Sequence, residues 1–459
     1  MATTSNIRNP GIVYPGDYTL KKIALLHVGG VLDLTSVMVE LSYFEDIFSP
    51  VVSGNLVLTD ALGIIEKCQL SGNEYIQITF TKASDSRAFE VNFLMRVYKI
   101  SDRQLISNTT AEGYILHFCS EEMILSEQYK ISKSYKNKTI TDIIADIVQT
   151  YLQVPPNKVV VIENTQGIYS FIIPNLKPFE AINWLSNYAR SSSPGNTGAD
   201  MIFFENNLGF RFASLQTLFK QNIYRSYTPQ LVNVEGQTPN DEFFAVLQYD
   251  FVNAFDMLEG ISVGAFASRL ITVDPLLQKF EKNDFNYSDY FSRSPTLNDF
   301  PIINSTENRF GETAYQTSEA VLKVAYTNKG HKDVPYIGNK PDSYAKDFFV
   351  ENHISNRPAQ LALANYNKLK LLINGDPGVV AGMLINFNLL SMDPSHPDRT
   401  TKGLDGYYSG KYLVSAVKHT IRPSSYNTTL EIIADSSDEL YLTPDNNSPT
   451  WKRAVQGLL

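Results

Sequence analysis

Residues 74–80 read Glu-Tyr-Ile-Gln-Ile-Thr-Phe, and in this stretch large apolar side chains alternate with single polar ones. Strict alternation over this length is typical of a β-strand that buries one face. Further strand-like segments with turn signals between them lie at residues 37–43, 54–60, 89–100 and 113–119. A series of short strands separated by turns predicts a small barrel or sandwich over residues 20–123.

The hydrophobic period changes to that of a helix after residue 138. Thr139 and Asp142 have the spacing of a capping box, and apolar residues then recur at helical spacing as far as Tyr151. A second helix is predicted to begin at Pro178, because proline is favoured in the first helical turn. Residues 124–198 are therefore expected to form a small α/β unit.

The second half returns to strand patterns. A hairpin is predicted from residues 201–205 and 209–214, and a short amphipathic helix from residues 357–369. Other strands are expected at residues 243–251, 260–274, 370–374, 382–389, 410–421 and 427–434. Residues 275–350 are poorly periodic and are interpreted as an irregular, ordered insertion, since their aromatic residues argue against disorder. The fold class is thus mainly β with an α/β insertion.

Composition limits the possible functions. The chain has 459 residues, which suggests about two to four domains, and its 43% hydrophobic and 19% charged residues are typical of a folded, soluble protein. Net charge is −9, and the sequence contains no basic run of five residues, which disfavours tight phosphate-backbone binding. No stretch is apolar enough for a transmembrane helix. Cys68 and Cys119 are expected to be buried free thiols, although one disulfide between them is an alternative.

Sequence motifs for catalysis are few. None of the six histidines lies three to five residues from another, and the common nucleophile and phosphate-binding motifs do not occur. His117 and His419 fall in strands and are expected to be structural. His396, between two aspartates, could contact a metal, but an ordinary turn is the favoured interpretation. The pair Glu121 and Glu122 is interpreted as a solvated face. No catalytic, cofactor-binding or metal-binding residue is therefore assigned, and the chain is not expected to be an enzyme.

Two adjacent motifs carry a family resemblance. Residues 43–50 read Tyr-Phe-Glu-Asp-Ile-Phe-Ser-Pro, and residues 53–60 read Ser-Gly-Asn-Leu-Val-Leu-Thr-Asp. They resemble the central baseplate hub proteins of contractile-tailed phages, whose distant relatives are the late control protein D family and the amino-terminal part of type VI secretion spike proteins. Similar motifs follow in the same order at residues 72–76, 135–140, 174–179, 203–212, 375–382, 409–414 and 426–436.

The resemblance implies two tube-like β-barrel domains per chain and a homotrimer that forms a pseudo-sixfold ring. Such a ring would join a tail tube or tube-initiator protein to a central spike protein, with DNA only as passing cargo. Other baseplate proteins would be further partners, membranes would not, and the location would be the virion tail baseplate after synthesis in the host cytoplasm. Alternatives are a tail-associated cell-wall hydrolase and the hub of a related contractile injection system.

The sequence patterns, together with this resemblance, suggest a division of the chain. An amino-terminal arm (1–19) precedes the first tube-like barrel (20–123) and the α/β insertion (124–198). The second tube-like β domain begins at 199–274, is interrupted by the irregular insertion (275–350), and is completed by 351–436 before a carboxy-terminal tail (437–459). The insertion and the end of the tail are expected to contact other baseplate proteins.

Overall fold

The computed structural model describes residues 18–84, 87–106, 110–229, 245–254, 256–274, 279–302, 322–326, 356–391 and 403–439. These residues are mainly β, as the sequence predicted. Within them, no helix has both the length and the apolar character needed to cross a membrane.

The first β unit is one antiparallel sheet in the order β2-β1-β5-β6-β7-β4-β3. Alternate residues of its strands point into one hydrophobic core, which includes Tyr43, Phe80 and Phe118. The elements are β1 (Thr19–His27), β2 (Gly30–Asp33), β3 (Met38–Asp46), β4 (Ser53–Asp60), α1 (Ile64–Cys68), β5 (Tyr75–Ser84), β6 (Arg87–Leu105) and β7 (Glu112–Cys119). Cys68 and Cys119 are free thiols, of which only Cys119 is buried.

The α/β unit follows directly. Its elements are α2 (Glu121–Gln128), β8 (Ser134–Lys138), α3 (Ile140–Thr150), β9 (Val160–Ile162), β10 (Tyr169–Ile172), α4 (Pro178–Ser186), β11 (Met201–Asn206), β12 (Gly209–Ser214) and α5 (Leu215–Phe219). The capping box predicted at the start of α3 is confirmed, because Thr139 and Asp142 exchange both hydrogen bonds. The predicted hairpin is also confirmed, and it forms a three-stranded sheet with β9.

The remaining elements belong to the second half of the chain. They are β13 (Ile223–Pro229), β14 (Ala245–Asn253), α6 (Met257–Val263), β15 (Ala267–Asp274), β16 (Lys279–Asn286), α7 (Tyr287–Phe291), β17 (Phe300–Pro301), β18 (Leu322–Tyr326), α8 (Asn356–Ala364), β19 (Asn367–Asn374), β20 (Leu384–Phe387), β21 (Gly410–Arg422), β22 (Ser425–Ala434) and β23 (Ser436–Ser437). Six of these strands close a barrel in the order β21-β20-β13-β14-β19-β22, since β22 pairs again with β21. The barrel predicted for the second half is confirmed.

The first unit differs from the expected barrel. In the described residues no strand ladder joins β1 to β3. The tip of the β21–β22 hairpin fills the gap instead: Ile421 and Tyr426 enter the first core, and the Tyr18 hydroxyl donates to the Arg422 carbonyl at 2.6 Å. The first unit is therefore a rolled sheet that is completed by two strands of the second unit.

Two local predictions were wrong. Residues 260–274 do not form one strand, because Asp256 caps α6, Gly264 ends it in the left-handed conformation, and the strand begins only at Ala267. The helix predicted for residues 357–369 ends at Ala364 and a strand follows. The described parts of 275–350 contain strands and α7. The domain boundaries stay a prediction.

Candidate functional site: a buried carboxylate junction

The tip of the β11–β12 hairpin lies where the rolled sheet, the barrel and the α/β unit meet. Ile202 and Phe204 of β11 pack into the barrel core, whereas Met201 and Phe210 pack into the α/β core. Gly209 at the tip has a φ of 123°, and a Cβ there would lie 2.1 Å from the Val159 carbonyl oxygen. Only glycine fits this position, so the sequence fixes how closely the hairpin approaches its neighbours.

Glu45 of β3 connects three segments with one carboxyl group. Its Oε1 accepts from the Asn207 backbone N–H at 3.1 Å, and its Oε2 accepts from the Ala381 N–H at 3.0 Å. Burial raises the pKa of Glu45 to about 8, the two N–H donors act in the opposite direction, and the nearby Glu205 raises it further. At neutral pH this carboxyl therefore stays mostly protonated while still accepting both bonds.

Glu205 at the end of β11 is the centre of a charged cluster. It accepts from the Val52 N–H at 2.9 Å and from the Ser120 hydroxyl at 2.6 Å. The Lys158 ammonium contacts Glu205 and also lies 2.9 Å from Glu122. Burial raises the pKa of Glu205, and Lys158 opposes that shift. One lysine of the α/β unit thus forms ion pairs with two buried carboxylates of different segments.

A second set of contacts joins the rolled sheet to the barrel. Strands β3 and β21 pair in an antiparallel register over six residue pairs, from Leu41 with Ile421 to Asp46 with Ala416. Within this seam the Tyr43 and His419 rings stack with centroids 4.4 Å apart. Burial lowers the pKa of His419 to about 3, so its imidazole is neutral and part of the core.

The buried contacts around Glu45 and Glu205 connect the three units. Several polar atoms of this junction form hydrogen bonds between segments: the Asn206 side-chain amide, for example, donates to the Ala381 carbonyl at 2.8 Å. Buried, directional contacts of this kind fix the relative positions of the three units. In the described residues no group of three His, Cys, Asp or Glu side chains is placed to hold a metal.

The interpretations made from the sequence for individual residues can be compared with their positions in the structure. His396 and its flanking aspartates lie outside the described residues. The interpretation of Glu121 and Glu122 as a solvated face was wrong for Glu122, whose side chain is only 6% exposed. Sequence reasoning missed Glu45 and Glu205, although each interrupts an aromatic strand segment (Tyr-Phe-Glu and Phe-Phe-Glu), which is a signal for a buried, paired charge.

Comparisons with known proteins agree with this architecture. A protein of Vibrio phage KVP40 described as "probable baseplate hub protein gp334" is 23% identical over 434 residues, which cover 90% of this chain and 94% of that protein. The chain resembles phage baseplate hub proteins. The resemblance stated from the sequence motifs is therefore confirmed. No protein-family model matches the sequence.

Two solved structures of tail proteins align with the chain at low sequence identity. The tail protein from Neisseria meningitidis MC58 aligns with a TM-score of 0.51 and 10% identity, over 92% of this chain and 99% of that chain. The 43 kDa tail protein of prophage MuSo2 from Shewanella oneidensis has a TM-score of 0.48 and 10% identity, over 90% of this chain and 98% of that chain. The first of these shows that the fold of the chain occurs among tail proteins.

Proposed function

We propose that the chain is a structural hub of a phage tail baseplate, in which three copies form a ring with pseudo-sixfold symmetry. The observation that carries this proposal is the pair of β units, each built around six strands. In the first unit these are β1, β5, β6, β7, β4 and β3, and in the second they are the six strands of the closed barrel. Three such chains would present six comparable units around one axis.

The seam between the two units supports the ring. β3 and β21 pair edge to edge, so the two units lie side by side in one continuous sheet. The buried junction around Glu45 and Glu205 holds that arrangement rigid. A chain with this property can match a sixfold partner on one side and a threefold partner on the other, and we assign these places to a tail tube protein and a central spike.

The passage of DNA through the ring is part of the proposal. A net charge of −9 gives the chain a negative overall potential. Negative charge along a channel would let the phosphate backbone pass without binding. The hub would be located in the tail baseplate of the virion, as the name of the Vibrio phage relative suggests, with other baseplate proteins as neighbours.

Native mass tests the ring. One chain has a mass of 51.6 kDa, so light scattering after gel filtration should give three times that value. The measurement should be made on the protein alone and after co-expression with the tube and spike proteins of the same phage, since either partner can template assembly. A mass of one chain in every case would contradict the proposal.

A further inference from the structure

Three polar side chains on the outer face of the rolled sheet form a hydrogen-bonded line. Asn55 of β4 lies directly opposite His117 of β7, and Ser101 of β6 is diagonal to His117, two residues along the strand from its direct partner Lys99. The Ser101 Oγ lies 2.7 Å from His117 Nε2, and His117 Nδ1 lies 2.7 Å from the Asn55 amide oxygen. All three side chains are half-buried, and their strand neighbours Leu56 and Leu116 face the core.

One arrangement of protons places a base beside the serine hydroxyl. Because the Asn55 oxygen can only accept, His117 Nδ1 carries the proton and Nε2 has a free lone pair. The Ser101 hydroxyl can then donate to Nε2. Its other acceptor, Asp102 Oδ2, is more distant, at 2.9 Å. Nucleophile, base and orienting group therefore stand in the order that activates a serine in hydrolases.

The backbone presents Ser101 at an irregular point of its strand. β6 has one extra residue between Ser101 and Gln104 relative to β7, and Asp102 in this bulge has a φ of 54°. A left-handed conformation is unfavourable for a non-glycine residue and is often found at functional sites. A β-bulge re-aims the adjacent side chain, here towards the imidazole of the neighbouring strand.

Burial, more than the neighbouring charges, keeps the imidazole available as a base. Burial and the neighbouring Lys99 lower the pKa of His117, while Asp102 acts in the opposite direction. Tyr98 is a further titratable neighbour, with its ring centroid 6.0 Å from that of His117. The imidazole is therefore neutral at pH 7. Lys99 lies directly opposite His117 on the same face and adds positive charge beside the imidazole.

We propose that Ser101, His117 and Asn55 form a serine hydrolase site for small carboxylic esters, separate from the structural role of the chain. Ser101 Oγ attacks the ester carbonyl carbon while its proton moves to His117 Nε2. The bond to the alkoxy oxygen then breaks, and the alcohol leaves with that proton. Water attacks the acyl-serine, gives a proton to His117, and releases the carboxylic acid as Ser101 is restored. Asn55 is a positioning residue that fixes the tautomer of His117.

The position of the site limits the substrate class. The three side chains lie on an open sheet face, which can accept a bulky alcohol but offers little surface to hold a large acyl group. Acetyl esters carried on a large alcohol, such as a polysaccharide, fit this requirement. The same chemistry is available to small synthetic acetyl esters, which are convenient probes.

Covalent labelling tests the nucleophile. The purified full-length chain is treated with a fluorophosphonate probe, and modified serines are identified by peptide mass spectrometry. We expect labelling at Ser101, and at least a tenfold loss of it in His117→Gln, because a positioned base contributes about a hundredfold or more. Ser71 is the matched control: its hydroxyl donates to a Glu74 carboxylate without an adjacent histidine, so it should remain unlabelled.

Turnover gives a second readout with p-nitrophenyl acetate. Ser101→Ala should reduce the rate above background at least tenfold, whereas Ser71→Ala should leave it unchanged. Asn55→Leu should lower kcat more than it changes KM and should shift the pH profile, and Asn55→Asp should restore activity. Equal rates for the wild type and Ser101→Ala, or labelling of Ser101 that does not depend on His117, would overturn the proposal.

Discussion

Replacing Lys158 by methionine tests whether the junction is held together by its charges. The Lys158 side chain is 23% exposed, and its partners Glu122 and Glu205 are 6% and 3% exposed, so solvent screens these ion pairs little. Removing one partner of a buried pair typically costs about 3–5 kcal/mol, because a charge is left without compensation. We expect Lys158→Met to lower the free energy of unfolding by about that amount at pH 8.

The pH dependence separates charge from packing. Burial already raises the pKa of Glu205 and Lys158 opposes this shift, so without the lysine Glu205 takes up a proton more easily. The cost of Lys158→Met should therefore fall to less than half at pH 5. Urea unfolding at fixed protein concentration measures both values.

The control for this experiment is Lys177→Met, since the ion pair of Lys177 with Glu127 is exposed at 31% and 50%. It should cost less than about 1 kcal/mol at either pH. An equal loss for the two variants, or a loss from Lys158→Met that does not change with pH, would refute the reasoning.

Two further predictions concern stability. Gly209→Ala should destabilise the chain by about 3 kcal/mol or more in urea unfolding, because its Cβ would meet the Val159 backbone. The control Gly63→Ala, at a φ of 67° with open space around it, should cost only the backbone strain of about 1–2 kcal/mol. Similar losses of stability for the two variants would contradict the clash at Gly209. The pKa of Glu45 in the folded state (about 8) exceeds its ordinary value of 4.5, so the folded form retains a proton that the unfolded form loses. The free energy of unfolding should therefore fall by up to about 2 kcal/mol between pH 6.5 and 8. Glu45→Gln should abolish this decline, and an unchanged slope would show that another group causes it.

Much of the fold could be predicted from local patterns. Strict alternation at residues 75–80 identified β5, and the capping box at Thr139 identified the start of α3. Both signals depend only on neighbours in the sequence. The segment at 260–274 failed because Gly264 ends a short helix within an apolar stretch whose composition also suits a strand. Where the helical and the strand period fit a segment equally well, a single capping residue decides which of the two elements forms.

The site could not be predicted in the same way, because its contacts join residues far apart in the chain. Glu45 bonds to the backbone of Asn207 and Ala381, and Glu205 meets Lys158 from another unit. The hydrophobic periodicity of a local segment gives no information about such distant pairs. What the sequence did offer was a charge inside an aromatic strand segment, and that pattern predicts only that the charge has a partner.

A buried charge cluster is a costly way to join three units, since apolar contacts of the same volume are often equally stable or more so. The advantage of such a cluster is that its hydrogen bonds are directional. Apolar surfaces can slide against one another at little cost, but Glu205 must remain within hydrogen-bonding distance of the Val52 N–H and the Ser120 hydroxyl while it contacts Lys158. Likewise, any rotation of the barrel against the rolled sheet would break the hydrogen bond from the Ala381 N–H to Glu45 and disrupt the β3–β21 pairing. For a subunit whose proposed role is to repeat six β units evenly around an axis, a fixed angle between two of them within each chain matters more than the last increment of stability. The junction supplies that angle.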